Sequence, residues 1–528
     1  MSDPRLISPA RPLNLAEAFL FKNLGEGRSD NTALVVDDPT LGARSSTYRE
    51  VAAEASRYGH ELRARGIGLE DRVLIVLEDS LPWVASFFGA LSIGATVMFL
   101  NPASTAEEIA FYLSDSRARG AVTTRAVAER FPALSPHLKT LLLVDDPHTI
   151  EVIGAHPAEI ELAATTDEDF AIWLYSSGST GAPKAAVHRA QDFIYNTERY
   201  PREVLRQDAN DVTVSVPKLF FGYATGSNLL FTFYYGGKTI LFPDKPRPDR
   251  LFELVERHRA TILVNVPTMI AQMADLYERI ERKPDVSSLR LLTSAGEALP
   301  PELYERWKKS TGVEILDGIG SAEMFHVFIS ARAGAVRKGS LGTIVEGYEA
   351  RVVRPDGTDA EIGEVGSLWI SGGSAAAFYW QRAEASREVL RGSTVATKDQ
   401  FVRDADGFFW YRGRADDLMK VGGRWLAPQE IEDALTRHPA VLEAGAAPFT
   451  RDGLVKPMAF VVLKNDGARS DALATELAKY VAESTEPYKA PRFVVFVAAL
   501  PRGDRDKLDR KALKVLADQA VLEWPGAH

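Results

Sequence analysis

The sequence predicts an α/β protein, with a large N-terminal domain of layered sheets and helices and a small C-terminal α+β domain. Three observations carry this. Helix-period segments and strand-like segments alternate through much of the chain. The texture changes near Tyr348, where short strand-and-turn segments begin. After a charged run at Arg414 to Asp417, a compact set of elements fills the last part of the chain, about 110 residues and enough for a small domain of its own. At 528 residues, the whole exceeds one typical core.

The elements follow in order. Phe170-Ala171-Ile172-Trp173-Leu174 is an apolar run of buried-strand type. Asp211 to Val216 alternates with period two. Leu251, Leu254 and Val255 lie at helical spacing, and Thr261 to Pro267 follows as a strand. Leu289 to Leu292 is strand-like, Arg351 to Gly357 is a strand entering a turn, and Gly366 to Ser371 is another strand. Beyond the charged run come a helix from Pro428 to Arg437, a strand near Met458 to Leu463, a helix from Asp471 to Ala482 and a strand at Phe493 to Phe496. Two uncharged runs, Trp83 to Leu100 and Leu219 to Gly237, are long enough to span a bilayer. Their Ser, Gly and Thr residues make them read better as a buried helix or turn followed by a strand. The N-terminal stretch has no apolar core of signal-peptide type, so the expected compartment is the cytoplasm and no membrane contact is expected.

Composition narrows the function. With 45% hydrophobic and 25% charged residues the chain is ordinary globular material. Its net charge of −10 argues against nucleic-acid binding, which needs a basic footprint. An anionic substrate must therefore meet local cations. There is no cysteine, which excludes disulfides, thiolate metal sites and a cysteine nucleophile. Any thiol in the chemistry comes from a substrate or partner.

The chemistry concentrates in a few stretches. Ser176-Ser177-Gly178-Ser179-Thr180-Gly181 packs four hydroxyls and two glycines into six positions, and Lys184 follows. Glycines let backbone N–H groups approach an anion, hydroxyls donate to phosphate oxygens and lysine adds a charge. The segment reads as a polyphosphate cradle. It is not a Walker A loop, because Ala182 and Pro183 separate Gly181 from Lys184 and no Ser or Thr follows the lysine. A flexible Ser/Gly linker is the bland alternative. Asp317-Gly318-Ile319-Gly320-Ser321-Ala322-Glu323 is a second Gly-rich element, in which Glu323 is the candidate carboxylate for Mg²⁺. Ser294-Ala295-Gly296-Glu297 places small residues at a strand end, where a flat ring can lie against the backbone. The charged run from Leu500 to Lys511 would, taken alone, be solvated surface.

Taken together and in this order, these elements resemble the acyl-adenylate-forming superfamily: acyl- and aryl-CoA ligases, luciferases and peptide-synthetase adenylation domains. The phosphate loop matches that family's signature. Gly413-Arg414-Ala415-Asp416-Asp417 resembles its interdomain joint, Thr397-Lys398-Asp399 its ribose-binding Thr-Gly-Asp, and Lys507 falls at its adenylation lysine. Lys218 to Tyr223, Gly318 to Ser321 and Glu323 to His326 look most like benzoate-CoA ligases.

The resemblance implies a large multi-subdomain N-terminal domain over 1–415 and a small, mobile domain over 416–528, hinged at Asp416. It implies ATP, Mg²⁺ and coenzyme A, and two half-reactions. A carboxylate attacks the α-phosphorus of ATP to give acyl-AMP and pyrophosphate, and a thiolate then displaces AMP. Lys507 would lie between the carboxylate and the α-phosphate. Thr180 and Lys184 would hold the outer phosphates, with Thr180 and Glu323 at the metal. Asp399 and Arg414 would fix the ribose. Asp317, Gly318, Ile319, Gly296 and Glu297 would border the adenine, and Gly422, Gly423 and Arg424 the pantetheine route. Phe221, Gly222, Tyr223, Ala295, Gly320, His326 and Val327 would line the aryl slot.

Four positions depart from the pattern. Lys398 replaces a glycine, Ala322 stands where threonine is usual, Ile319 where an aromatic often stacks, and Asp506 where glycine usually precedes the lysine. The expected activity is an AMP-forming acid–thiol ligase acting on benzoate or an amino- or hydroxybenzoate. His326 is open to two readings: a partner of a ring substituent or of the carboxylate, or a satisfied core histidine. Alternatives are transfer to a carrier-protein thiol and a nucleotide-binding protein with weakened chemistry. The expected quaternary state is a monomer or a homodimer.

Overall fold

The computed structural model describes residues 10–132, 135–176, 183–415, 417–421, 424–451, 454–465, 469–502 and 508–523. Its largest sheet has nine strands in the order Thr343–Ile344, Val327–Ser330, Ile315–Gly320, Leu291–Ala295, Ile262–Asn265, Val212–Ser215, Lys238–Leu241, Thr32–Asp38 and Gly42–Thr47. The six strands from Ile315–Gly320 to Thr32–Asp38 are parallel. Parallel strands are covered on both faces and so read as unbroken apolar runs. This is why Ile262–Asn265, buried at every position, was legible in the sequence. Helices Pro248–His258 and Pro267–Arg279 carry the chain between these strands. Each starts with a proline, whose fixed φ and missing N–H suit the first helical turn. Leu251, Leu254 and Val255 of the first of them are fully buried and share one core cluster with Trp307, Ile315 and Leu292.

A seven-stranded sheet runs Phe378–Tyr379, Lys184–Arg189, Phe170–Ser176, Thr96–Phe99, Arg72–Val76, Gly120–Thr123 and Thr140–Leu143. The Trp83 to Leu100 run resolves into helix Leu81–Ser92 and strand Thr96–Phe99. Ser80 stops the chain from extending the helix backwards: its hydroxyl accepts from the Trp83 N–H at 3.2 Å. The Leu219 to Gly237 run becomes consecutive helical turns over Gly222–Ala224, Thr225–Leu230 and Phe231–Tyr235, then strand Lys238–Leu241. Gly236 ends the turns at φ +80°, a conformation that favours glycine. No helix among the described residues is long and apolar enough to cross a membrane.

By its internal packing the chain divides into two units. One comprises residues up to 299, with 303–350 and 370–396; the other comprises 300–302, 351–369 and the chain from 397. The second holds most of a five-stranded sheet, in which Phe409–Arg414 pairs antiparallel with Thr394–Arg403. It also holds a three-stranded sheet of Val441–Arg451, Leu454–Leu463 and Phe493–Phe496, with helices Pro428–Thr436, Asp471–Ser484 and Arg510–Glu523. The expected hinge residue Asp416 lies outside the described residues.

Two elements of this small sheet and its helices were not anticipated. Strand Val441–Arg451 is rich in Ala and Gly and contains Pro448, all weak strand formers, and its burial does not alternate. Helix Arg510–Glu523 opens inside the charged run and was hidden by it.

Helices Tyr48–Ala64 and Leu81–Ser92 approach closely at Gly59 and Gly89. A Cβ on Gly89 would lie 2.7 Å from the Ala55 carbonyl oxygen and 2.8 Å from the Gly59 nitrogen. These are backbone atoms and cannot swing aside. Gly89→Ala should therefore lower the melting temperature. Overpacking costs about 1–3 kcal/mol and outweighs a helix-propensity gain of about 1 kcal/mol. A variant as stable as the wild type in thermal denaturation would contradict this contact.

Candidate active site

Strand Phe170–Ser176 pairs antiparallel with Lys184–Arg189, and Ser176 stands directly opposite Lys184. The phosphate-loop sequence therefore joins two strands of a hairpin. A Walker A loop instead leads into a helix, so the exclusion made from spacing holds in the fold. Ser177, Gly178, Ser179, Thr180 and Gly181 lie outside the described residues.

Glu323 sits in the single turn Ala322–Met324 that follows strand Ile315–Gly320 of the large sheet. Its Oε1 accepts from Ser176 Oγ at 3.1 Å and from the Tyr379 hydroxyl at 2.8 Å. Oε2 has no donor among the described residues. The Lys184 ammonium lies 5.6 Å from the centre of the Tyr379 ring. Thus Ser176, Lys184 and Glu323, proposed from distant parts of the sequence, come together around Tyr379. A carboxylate anchored by one oxygen beside a lysine suits a hard cation completed by phosphate oxygens. No group of three or more acidic or histidine side chains able to hold a metal occurs among the described residues.

Behind this cluster, the His188 ring is fully buried, with Nε2 2.7 Å from the Ala322 carbonyl oxygen and Nδ1 3.1 Å from Asp192 Oδ2. Each ring nitrogen thus faces an acceptor. Asp192 Oδ2 also accepts from the Arg189 backbone N–H. Sequence reasoning missed His188 and Tyr379. His188 left a usable signal: it lies four residues after Lys184 and four before an aspartate. Nothing in the run around Tyr379 distinguishes it from a core aromatic.

The parallel strands Leu291–Ala295 and Ile315–Gly320 set Ser294 beside Asp317 and Ala295 beside Gly318. Ala295 is buried, Gly296 turns away at φ +93°, and Glu297 accepts from the Thr268 hydroxyl at 2.8 Å. Gly318 and Ile319 pair with the antiparallel strand Val327–Ser330. Asp317 Oδ1, Ser294 Oγ and Ser321 Oγ are buried without a well-formed hydrogen bond among the described residues, although Ser294 stands close enough to Asp317 to hold its pKa down in part. Orphaned polar atoms are costly, and such atoms at one pair of strand ends suit a ligand with donors and acceptors at its edge, such as a nucleobase. Burial pushes the Asp317 carboxyl up to about 7.

The expected aryl wall gathers on the same edge. Phe221 precedes the turn Gly222–Ala224. A Cβ on Gly222 would lie 3.4 Å from Leu174, so the room beside it is bounded by that side chain. The Tyr223 hydroxyl meets Thr293 Oγ1 at 2.8 Å. Gly320 is pressed against the backbone of His326, where a Cβ would come within 2.6 Å of the carbonyl oxygen. Val327 is buried at the start of its strand. His326 is buried among Tyr200, Tyr223, Phe231 and Phe325, with ring centres 4.6–5.6 Å away.

In the second unit Asp399 and Arg414 are cross-strand partners, with Arg414 Nη1 3.4 Å from Asp399 Oδ1. The two expected ribose ligands are thus adjacent. Arg424 begins strand Arg424–Leu426, its guanidinium 4.9 Å from the Tyr488 ring centre and 3.6 Å from Glu486. Gly422, Gly423, Asp506 and Lys507 lie outside the described residues. The flanking charged run is not all solvated. Arg510, three residues after Lys507, hydrogen-bonds both oxygens of the buried Glu432, with Nη2 2.8 Å from Oε2.

The fold and the site define a class. The model of the AMP-binding enzyme family matches residues 21–380, that of the AMP-binding enzyme C-terminal domain matches residues 430–507, and the chain belongs to this family. Within it, the chain is 37% identical over 520 residues to a benzoate–CoA ligase of Thauera aromatica, covering 97% of each protein. It is 37% identical over 518 residues to a 4-hydroxybenzoate–CoA/benzoate–CoA ligase of Rhodopseudomonas palustris, covering 96% of this chain and 94% of that one. Its structure superposes with a TM-score of 0.90 on the anthranilate–CoA ligase AuaEII in complex with anthranoyl-AMP, at 35% identity, covering 97% and 98% of the two chains.

The Asp317 carboxyl gives a pH test. Its folded pKa of about 7 lies above the ordinary 3.8, so the fold favours the protonated form. Its contribution to stability is fully present below about pH 4 and is lost as pH rises through about 7. Asp317→Asn removes the ionisable group. In the absence of nucleotide the stability of the variant relative to wild type should rise between pH 4 and 8, by a few kcal/mol at most. Parallel melting-temperature profiles for the two proteins would show that Asp317 is not held protonated.

Proposed function

We propose that this chain is an AMP-forming ligase that joins an aromatic carboxylic acid of the benzoate class to coenzyme A through an aryl-adenylate. The observation that carries the reading is the meeting of Ser176, Lys184 and the Glu323 carboxylate, held through one oxygen by two donors, at the end of the phosphate hairpin. The similarity to benzoate– and anthranilate–CoA ligases supports the acid class.

The first step brings two anions together, so stabilisation of charge and positioning dominate. Lys184 and the loop hydroxyls, Thr180 among them, grip the outer phosphates. Glu323, with Thr180, holds Mg²⁺, which when bound neutralises phosphate oxygens. Asp317 and the Gly296 backbone border the adenine. Asp399 and Arg414 take the ribose hydroxyls. Lys507 steadies the acid carboxylate as one of its oxygens bonds to the α-phosphorus and the bond to pyrophosphate breaks. In the second step the thiol sulfur bonds to the acyl carbon, AMP leaves with the bonding pair, and the thiol proton passes to solvent. Gly422, Gly423 and Arg424 border the pantetheine route. The working domains are 1–415 and 416–528, hinged at Asp416, and the working compartment is the cytoplasm.

Incubation with ATP, Mg²⁺, CoA and a benzoate-class acid should give AMP, pyrophosphate and an aryl-CoA in equal amounts. Formation of ADP, or of pyrophosphate without dependence on the acid, would overturn the reading. Mass spectrometry of the thioester distinguishes CoA from a carrier-protein thiol as acceptor.

Two variants test the assigned roles. Lys507→Ala should cut adenylation strongly while preformed aryl-AMP is still converted to thioester; equal loss in both half-reactions would contradict its role. Tyr379→Phe removes one of the two anchors of Glu323 and should raise the Mg²⁺ concentration at half-maximal rate about tenfold. An unchanged Mg²⁺ dependence would place the metal elsewhere.

A further inference from the structure

We propose that Asp79 is a positioning residue for the first half-reaction: its carboxylate fixes the segment from Leu219 to Tyr223 against the sheet that carries the phosphate hairpin, and so sets the distance between the acid and the α-phosphate. The inference rests on the aryl-acid ligase reading above and adds to it a residue outside the sites assigned there.

The two large sheets meet here at strand ends. Asp79 lies three residues beyond strand Arg72–Val76 of the seven-stranded sheet, just before Ser80 caps helix Leu81–Ser92. Leu219 lies four residues beyond strand Val212–Ser215 of the nine-stranded sheet. Asp79 Oδ1 accepts from the Leu219 N–H at 2.8 Å, and Asp79 as a whole is 1% exposed. Burial pushes the carboxyl up to about 6, against the pull of Lys218 and of the Leu219 N–H. The group is therefore ionised at neutral pH, and a hydrogen bond to an ionised acceptor is stronger than a neutral one.

The segment that leaves this contact is held along its length. The Leu219 carbonyl accepts from Thr225 Oγ1 at 2.6 Å. The Lys218 carbonyl accepts from the Phe221 N–H at 2.9 Å, and the Phe221 carbonyl from the Ala224 N–H at 3.0 Å. The buried Lys218 ammonium donates to the Phe242 carbonyl and lies 3.4 Å from the centre of the Phe242 ring. Gly222 then faces Leu174, whose methyls lie 3.4 Å from the place of a Cβ. Leu174 belongs to the strand that ends in Ser176.

A buried carboxylate beside a buried lysine is a weak source of stability. What it supplies is a directional acceptor at a fixed place between two sheets. The acid is expected along Phe221 to Tyr223 and the outer phosphates at Ser176 and Lys184, so the two reactants are held from different sheets. A misplacement of about 1 Å between reacting groups costs on the order of a hundredfold in rate. In the second half-reaction the acyl group is already bonded to AMP, and the spacing of acid and phosphate is fixed covalently. Asp79 therefore matters to the first step and much less to the second.

The test reads the half-reactions separately. Asp79→Leu removes the acceptor at similar size. Adenylation at saturating ATP and acid, read as pyrophosphate released, should fall about ten- to a hundredfold, while conversion of preformed aryl-AMP to the thioester should change little. Asp79→Asn keeps an oxygen for the Leu219 N–H and should recover most of the lost rate. Thr225→Val releases the Leu219 carbonyl without touching Asp79; it should show the same split more weakly, and it carries the test if Asp79→Leu does not fold. Equal loss in the two half-reactions overturns the inference and leaves the ligase reading intact. So does undiminished adenylation in Asp79→Leu, an Asp79→Asn variant as slow as Asp79→Leu, or a Thr225→Val variant without the split. A wild-type protein that releases no pyrophosphate with any benzoate-class acid overturns the ligase reading and the inference together.

Discussion

One carboxylate oxygen, Glu323 Oε1, joins the two large sheets where the chemistry is expected. Glu323 follows a strand of the nine-stranded sheet, whereas Ser176 and Tyr379, which donate to it, stand on strands of the seven-stranded sheet. The neighbouring backbone is held as well: His188, also on the seven-stranded sheet, reaches the Ala322 carbonyl. Three contacts between the same two pieces of chain over-determine the turn that carries Glu323. A carboxylate on a single helical turn would otherwise lose precision, since short turns have little internal hydrogen bonding. The cost is the burial of the His188–Asp192 pair, offset by hydrogen bonds on both partners. Lys184 belongs to the same framework, because its strand position opposite Ser176 is set by the hairpin register.

From this junction the polar character of the site falls away toward the aryl wall. At the hairpin end stand a lysine and a glutamate, the charged groups proposed for phosphate and metal. Farther along the strand ends, burial raises the Asp317 carboxyl to about 7 and lowers the His326 imidazole to about 4. Both shifts favour the uncharged form. A polyphosphate needs countercharge, whereas a nucleobase and an aromatic ring are recognised by uncharged hydrogen bonds and packing. Desolvation alone separates these regions, because the groups that change lie deepest. The buried polar atoms without a well-formed hydrogen bond among the described residues follow the same line: Ser294 Oγ, Asp317 Oδ1, Ser321 Oγ and His326 Nδ1 lie on or beyond the ends of two adjacent strands.

Much of this was legible in the sequence. Parallel strands announce themselves as apolar runs, so Phe170–Ser176 and Ile262–Asn265 were visible, and the two long uncharged runs separated correctly into helical segments and strands. Ser176, Lys184 and Glu323 were singled out because polyphosphate chemistry draws on few residue types in short motifs, and the fold brings the three together. Asp399 and Arg414 are cross-strand neighbours although the sequence separates them by 15 residues. What stayed hidden depends on tertiary contact. Tyr379 looks like any buried aromatic until its hydroxyl is seen against Glu323. Strand Val441–Arg451 is built from residues that do not favour strands and is held by pairing with Leu454–Leu463. His326 could not be resolved either, because a ring's tautomer is written in its neighbours and not in its position along the chain.

The same tertiary contacts explain why the departures from the family pattern need not undo the site. Ala322 lacks the hydroxyl that threonine would bring to phosphate, a loss of about 1.5–3 kcal/mol if that bond is charge-assisted. Yet residue 322 also has a structural duty, and it is discharged by the backbone: the carbonyl oxygen meets His188. Any side chain at 322 leaves that contact available. Ile319 likewise keeps its place through strand pairing with Ile329, so the loss of an aromatic ring removes a stacking surface and not the strand proposed to frame the adenine. The substitutions fall on side chains that would touch ligand, whereas the joints between the sheets are made by Ser176, His188, Tyr379 and Glu323. A site arranged this way can vary in strength of nucleotide binding without losing the geometry that makes the reaction possible.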